Sequence, residues 1–172
     1  MIKKPVFLLL AAVLFFGSCA MLQSVVKGTF PYTANVVIPA SAKAGEMQTA
    51  VSTGNSFDQD FTKDGNNASH ISEVRVVSAK LQSNDPSDYN IGNISSVRVY
   101  MAKNDGSDEV MVAIRKDISA NSGNSITLDI DNSHFLDDLV RQQNVRIRMV
   151  YQLRKAVKTD VILKVSLGIG AN

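Results

Sequence analysis

The sequence predicts an all-β domain, an antiparallel β-sandwich of immunoglobulin-like or other Greek-key type with one short helical crossover. Three observations carry this. Apolar residues alternate with polar ones at period two in at least seven short segments. Clusters of Gly, Asn, Asp, Ser and Pro punctuate the chain every 8–12 residues or so. Alternation, rather than the continuous apolar runs that mark a parallel sheet buried on both faces, prevails downstream of residue 28.

The first strand is expected over Thr29–Ile38. Phe30, Tyr32, Ala34, Val36 and Ile38 alternate there, and Pro31 makes it an edge strand or the start of one, because proline cannot donate to a ladder. Ser41–Gly45 reads as a turn. Further strands are expected around Met47–Val51 and Ser56–Phe61, with a loop over Lys63–Ala68. Glu73–Leu81 is β-branched, and its alternation slips between Val76 and Val77, the signature of a bulge or of two buried faces. Asn84–Asn90 is a loop around Pro86. Ser96–Ala102 sets Val97, Val99 and Met101 against Arg98 and Tyr100. The tetrapeptide Asn104-Asp105-Gly106-Ser107 then predicts a hairpin, since glycine accepts positive φ and aspartate tolerates it. The return strand Glu109–Arg115 would point Val110, Val112 and Ile114 inward.

After a polar turn at Ser119–Asn124, Ser125–Ile130 places Ile126, Leu128 and Ile130 at period two. Asp131-Asn132-Ser133 can cap a short helix, His134–Arg141, that presents Phe135, Leu136, Leu139 and Val140 on one face and bridges the two sheets. Val145, Ile147, Met149 and Tyr151 alternate with Arg146, Arg148 and Val150. A last strand runs through Val161, Leu163, Val165, Leu167 and Ile169.

The start of the chain has a different composition. Met1–Lys4 is short and basic, Pro5–Phe16 is an apolar run of 12 residues, and Gly17 and Ser18 precede the sole cysteine, Cys19. A membrane-spanning helix needs about 18–20 apolar residues, so this pattern reads as an export signal. The stretch Phe16-Gly17-Ser18-Cys19 resembles the lipobox of bacterial lipoproteins, with Phe16 where an aliphatic residue is usual. The resemblance implies cleavage before Cys19 and lipidation of that residue, which also disposes of an unpaired thiol in an exported chain. The chain then divides into a signal (1–18), a lipidated tether (19–28) and one domain (29–172). Ala20, rather than aspartate, follows the cysteine, and no acidic cluster comes after it. By the same resemblance this implies the outer membrane, facing the periplasm. In layout the domain is similar to small β-sandwich envelope lipoproteins of Gram-negative bacteria, a likeness that carries no activity.

The formal charge is +2, and loss of Lys3 and Lys4 leaves 16 basic and 16 acidic residues, which excludes the strong basic excess of a nucleic-acid binder. No catalytic motif is complete. His70 and His134 are the two imidazoles, each after a serine (Ser69, Ser133), and Gly-x-Ser-x-Gly is missing. Asp58, Asp60 and Asp64 fail calcium-loop spacing, and two histidines with one lipidated cysteine make no transition-metal set. Asp105, Asp108, Glu109, Asp129 and Asp131 read as turn and solubility residues. The expectation is a non-enzymatic, lipid-anchored protein with a structural, protein-binding or cell-wall role, without cofactor or metal. The alternative is a module binding a sugar or lipid, for which Tyr100 is the one aromatic on a polar strand face. A basic cluster, Arg141, Arg146, Arg148, Arg154, Lys155 and Lys158, reads as a solvated strand face and a basic turn, with an anionic partner as the functional alternative. The expected patch is Arg98, Arg146, Arg148 and Lys164, provided Lys164 comes from a neighbouring strand of the same sheet.

Overall fold

Alternating side chains give the long strands one apolar face each, and burying those faces against one another produces a two-layer sandwich. The computed structural model describes residues 29–55, 72–142 and 144–170. These residues form nine strands: β1 (Thr29–Ile38), β2 (Met47–Asn55), β3 (Arg75–Asp85), β4 (Ile94–Lys103), β5 (Val110–Arg115), β6 (Ser125–Thr127), β7 (Asp129–Ile130), β8 (Asn144–Leu153) and β9 (Val161–Gly170). A 3-10 turn covers Ile91–Asn93, and one helical turn, α1, covers Asp137–Val140. The expected strand at Ser56–Phe61 and loop at Lys63–Ala68 lie outside the described residues, as does the export signal. No described helix is long and apolar enough to cross a membrane.

Four strands form one sheet in the order β1-β9-β3-β6, and five form the other in the order β2-β8-β4-β5-β7. The order has a simple origin. β1 pairs with β9, β2 with β8, β3 with β6 and β4 with β5, all antiparallel, as in one long folded-back ribbon. Rolling that ribbon brings β9 onto β3 and β8 onto β4. This is the jelly-roll member of the Greek-key sandwiches, with β7 added at one edge; it is the variant found in place of the immunoglobulin-like one. The ribbon's tip is the β4–β5 hairpin, its one local pairing.

The core follows the alternation. Tyr32, Ala34, Val36 and Ile38 of β1, Val145, Ile147, Met149, Tyr151 and Leu153 of β8, and Val161, Leu163, Val165, Leu167 and Ile169 of β9 are all buried. The Tyr32 hydroxyl reaches across the layers to the Val145 backbone, and burial pushes that phenol's pKa up. The slip in β3 is a bulge: the register with β9 shifts between Val76 and Ser78, and Val77 turns outward.

Three expectations are corrected. A second bulge, between Val99 and Tyr100 opposite Met111–Ala113, inserts one residue into β5. It buries both Val112 and Ala113, and Ile114 pairs with Arg98 on the outer face instead of pointing inward. Ser125–Ile130 is two strands on different sheets, with buried Leu128 where the chain crosses between them. The helix is four residues long, without a side-chain cap, and Asp131 accepts instead from the Ser133 amide (3.1 Å) and hydroxyl (2.6 Å). Its flanking strands β7 and β8 belong to one sheet, so it does not lead the chain between sheets. It does close one end of the sandwich, where Leu136 N donates to Val74 O (2.8 Å). Leu136, Leu139 and Val140 are buried, whereas Phe135 stands out, with the Arg75 guanidinium 3.9 Å from its ring centroid.

The hairpin is as expected. Gly106 has φ +88° and Asp105 accepts from the Ser107 amide and hydroxyl at 2.9 and 2.7 Å. A β-branched residue at that φ is strained, and its Cβ would meet Arg146 Nη1 at 2.6 Å. Gly106→Val is expected to lower stability by about 1–2 kcal/mol, the tip of Arg146 being able to swing away. Thermal unfolding checks this; an unchanged melting temperature contradicts it.

Candidate functional site

The basic patch divides when its residues are placed. Arg98, Arg146 and Arg148 lie on the outer face of the five-stranded sheet, because their apolar neighbours in sequence take the inner face. Lys164 is on β9, between Asn35 and Gln82, on the outer face of the other sheet. It cannot extend the arginine surface. It lines instead a shallow polar groove of about 370 Å³ with Thr33, Asn35, Ser52 and Asn84.

The three arginines differ among themselves. Arg148 is committed: its Nε donates to Glu109 Oε1 at 2.7 Å, Nη2 binds the other carboxylate oxygen, and the guanidinium lies 4.2 Å from the Tyr100 ring centroid. A bidentate pair of this kind, about a quarter exposed on either side, holds Glu109's carboxyl below its ordinary pKa and raises Arg148's. Tyr100, the aromatic expected as a sugar platform, therefore has one face covered. Arg146 extends over Gly106, and its Nε is buried without a hydrogen-bond partner among the described residues. Arg98 lies between Val150 and Ile114. The remaining members of the basic cluster scatter. Arg141 pairs with Asp137 and Asp138. Arg154 binds three carbonyls, those of Gly92 (2.9 Å), Ile94 (2.8 Å) and Ile118 (2.6 Å), and so braces the loops at the end of the sandwich opposite α1.

The acids are similarly occupied. Lys103 Nζ lies 2.5 Å from Asp108, and Arg115 Nη1 lies 3.0 Å from Asp129. Asp105 and Asp131 organise their own turns, and these hydrogen bonds hold both carboxyls below the usual range. Asp108 and Asp137 also line, with Glu73, Asp138 and Phe135, an open cleft of about 440 Å³ beside α1. No cluster of three or more potential metal ligands occurs among the described residues. His134 is exposed, and the hydroxyl of Ser133 is turned to Asp131. Cys19, Asp58, Asp60, Asp64, Ser69 and His70 lie outside the described residues.

Two features escaped the sequence reading. The partnership of Glu109 and Arg148 joins the residue before β5 to β8, 39 positions on in the chain, and no local spacing announces it. The second feature is a run without charge: neither β1 nor β2 contains an acidic or basic residue. That signal was legible, but only strand order shows that both are edge strands on the same side of the sandwich.

No family model matches the chain, and no curated protein matches it. Among solved structures it is similar to the PRD1 vertex protein P5, at 10% identity and a TM-score of 0.31, over 79% of this chain and 72% of that one.

Proposed function

We propose that this is a lipid-anchored envelope protein, tethered through Cys19, whose sandwich works by contact, as a structural element or as a docking module for another envelope protein or the cell wall. The observation that carries the reading is a spacing. β1 begins at Thr29, ten residues after the cysteine of the lipobox-like stretch. Ten extended residues reach about 35 Å. A lipid on Cys19 would thus hold the domain within roughly its own length of a bilayer. Ala20 in place of aspartate favours the outer membrane, facing the periplasm.

The commitment of five of the described acids to turns and ion pairs supports a contact role over a catalytic one. A general acid or base must be free to take up or release a proton near its substrate. Asp105, Asp108, Glu109, Asp129 and Asp131 are each engaged by a named neighbour. The braced loops around Arg154 and Asn90 offer a rigid surface at the end of the sandwich away from the start of β1.

Expression of the full chain with a palmitate analogue tests the anchor. The wild type is expected to be labelled and to fractionate with membranes. Cys19→Ala is expected to lose the label and to retain its leader. Equal labelling of the two proteins refutes the proposal.

A further inference from the structure

The two sides of the sandwich are guarded very differently. One side ends in β6 and β7, of three and two residues. Very short edge strands are a usual protection against edge-to-edge pairing. The other side ends in β1 and β2, of ten and nine residues. β1 carries Pro31, but β2 has no proline, no charge, and no register shift along its ladder with β8. Among the described residues its far side is unpaired. Its outward row is Met47, Thr49, Val51 and Thr53, with Met47 and Val51 about half exposed.

We infer that β2 is a self-association edge, at which a second copy of this chain adds its own β2 antiparallel about a twofold axis at Val51. Three arguments favour a second copy over an unrelated strand. First, the sequence Met47–Asn55 is self-complementary in that register. Val51 meets Val51 of the other copy, Thr49 meets Thr53, and Ala50 meets Ser52. β-Branched and threonine pairs are favourable cross-strand neighbours, and a twofold contact must be self-complementary. Second, charge does not oppose it. Lys43, just before the strand, is paired with Glu46 (3.8 Å), Lys164 of β9 stays within the groove beside Ser52 and Thr53, and on β8 Arg148 is register partner of Val51. That guanidinium is already held by Glu109 and Tyr100, on the side away from β2. Third, the area suffices for a weak dimer. Nine residues span about 30 Å. With two sheets about 10 Å apart, the wall is about 20 Å deep once side chains are included. This gives about 600 Å² per copy, or about 1,200 Å² in all, the lower end for specific interfaces. The association is therefore expected to be concentration-dependent and in the micromolar range.

Site-specific disulfide trapping in the full chain, in isolated envelopes, reads the register. Residues directly opposite across an antiparallel pair lie about 4.5–5.5 Å apart at Cα, within disulfide reach. Val51→Cys is expected to convert to a covalent dimer on mild oxidation. Thr49→Cys, which would face Thr53 of the other copy, is expected to stay monomeric, and Thr49→Cys combined with Thr53→Cys to cross-link. Val77→Cys on β3, as exposed as Val51, controls for random collision. The wild type, with Cys19 alone, sets the background. Adding Val51→Lys to the Thr49→Cys, Thr53→Cys pair is expected to abolish its cross-link, because a lysine at an edge opposes pairing. Cross-linking of Val51→Cys no greater than that of Val77→Cys overturns the inference. So does cross-linking by Thr49→Cys alone, which would place the chains in another register.

Discussion

Gly92→Ala is expected to lower stability by about 3 kcal/mol, among the largest effects of any single methyl group added to this chain. Gly92 sits in the 3-10 turn Ile91–Asn93, pressed against the loop after β5. A Cβ there would lie 2.2 Å from the Ala120 carbonyl oxygen and 2.5 Å from that of Ser119. Both obstacles are backbone, so no rotamer relieves them. The two segments must part, and their joint hydrogen bonds weaken as they do. Ile91 N donates to Gly123 O at 2.7 Å. Asn90 accepts from Gly92 N and Gly123 N and donates to Ala120 O, at 2.9, 3.1 and 2.8 Å. Overpacking and stretched hydrogen bonds together account for the figure. For a domain of this size the melting temperature should fall by about 6–12 °C. Gly123→Ala is the comparison. Its φ is +73° with open space around the missing Cβ, so only the backbone penalty applies, about 1–2 kcal/mol. Equal melting temperatures for the two variants would mean that the turn and the loop are not in contact.

How far this architecture was legible depends on whether the information is local. Period two over Tyr32–Ile38 of β1, and in β8 and β9, assigned inner and outer faces correctly, because alternation is a property of the strand itself; the side chain of Phe30 lies outside the described residues. The hairpin at Asp105-Gly106 was legible for the same reason: its pairing is between neighbours. Strand order was not, since β1 meets β9 and β2 meets β8 through contacts roughly 90 to 140 residues apart in the chain. The basic patch failed on that point. Lys164 has the same outward parity as Arg146, but parity does not say on which sheet a strand lies. Ile114 failed for a subtler reason. A single inserted residue in β5 reverses the parity of everything after it. At the helix, Asp131 and Ser133 do form local hydrogen bonds, but these close a turn before the helix instead of capping it as expected. Phe135 ended up outside with Arg75 for the same reason: a four-residue helix has no full apolar face to offer it.

Ser125–Ile130 shows what alternation cannot rank, and it sets the second expectation. Ile126, Leu128 and Ile130 look equivalent in the sequence. In the fold, β6 pairs with β3 on one sheet and β7 pairs with β5 on the other. Leu128 stands at the crossing, 3% exposed, with its amide donating to Ala79 O at 2.9 Å. Ile130, two residues on, is 38% exposed at the rim. Leu128→Ala should therefore leave a cavity where the two layers are joined and cost about 3 kcal/mol, again about 6–12 °C in melting temperature. Ile130→Ala should cost less than about 1 kcal/mol, because half-exposed apolar surface is only partly withdrawn from water. The loss at Leu128 should also be local before it is global. β6 and β7 are held to their sheets by three and two paired residues, so a cavity between them should loosen both short edges together. Amide exchange is expected to accelerate over 125–130 in Leu128→Ala at temperatures where β8 and β9 remain protected. Equal destabilisation by the two alanine substitutions would restore the single continuous strand that the alternation suggests.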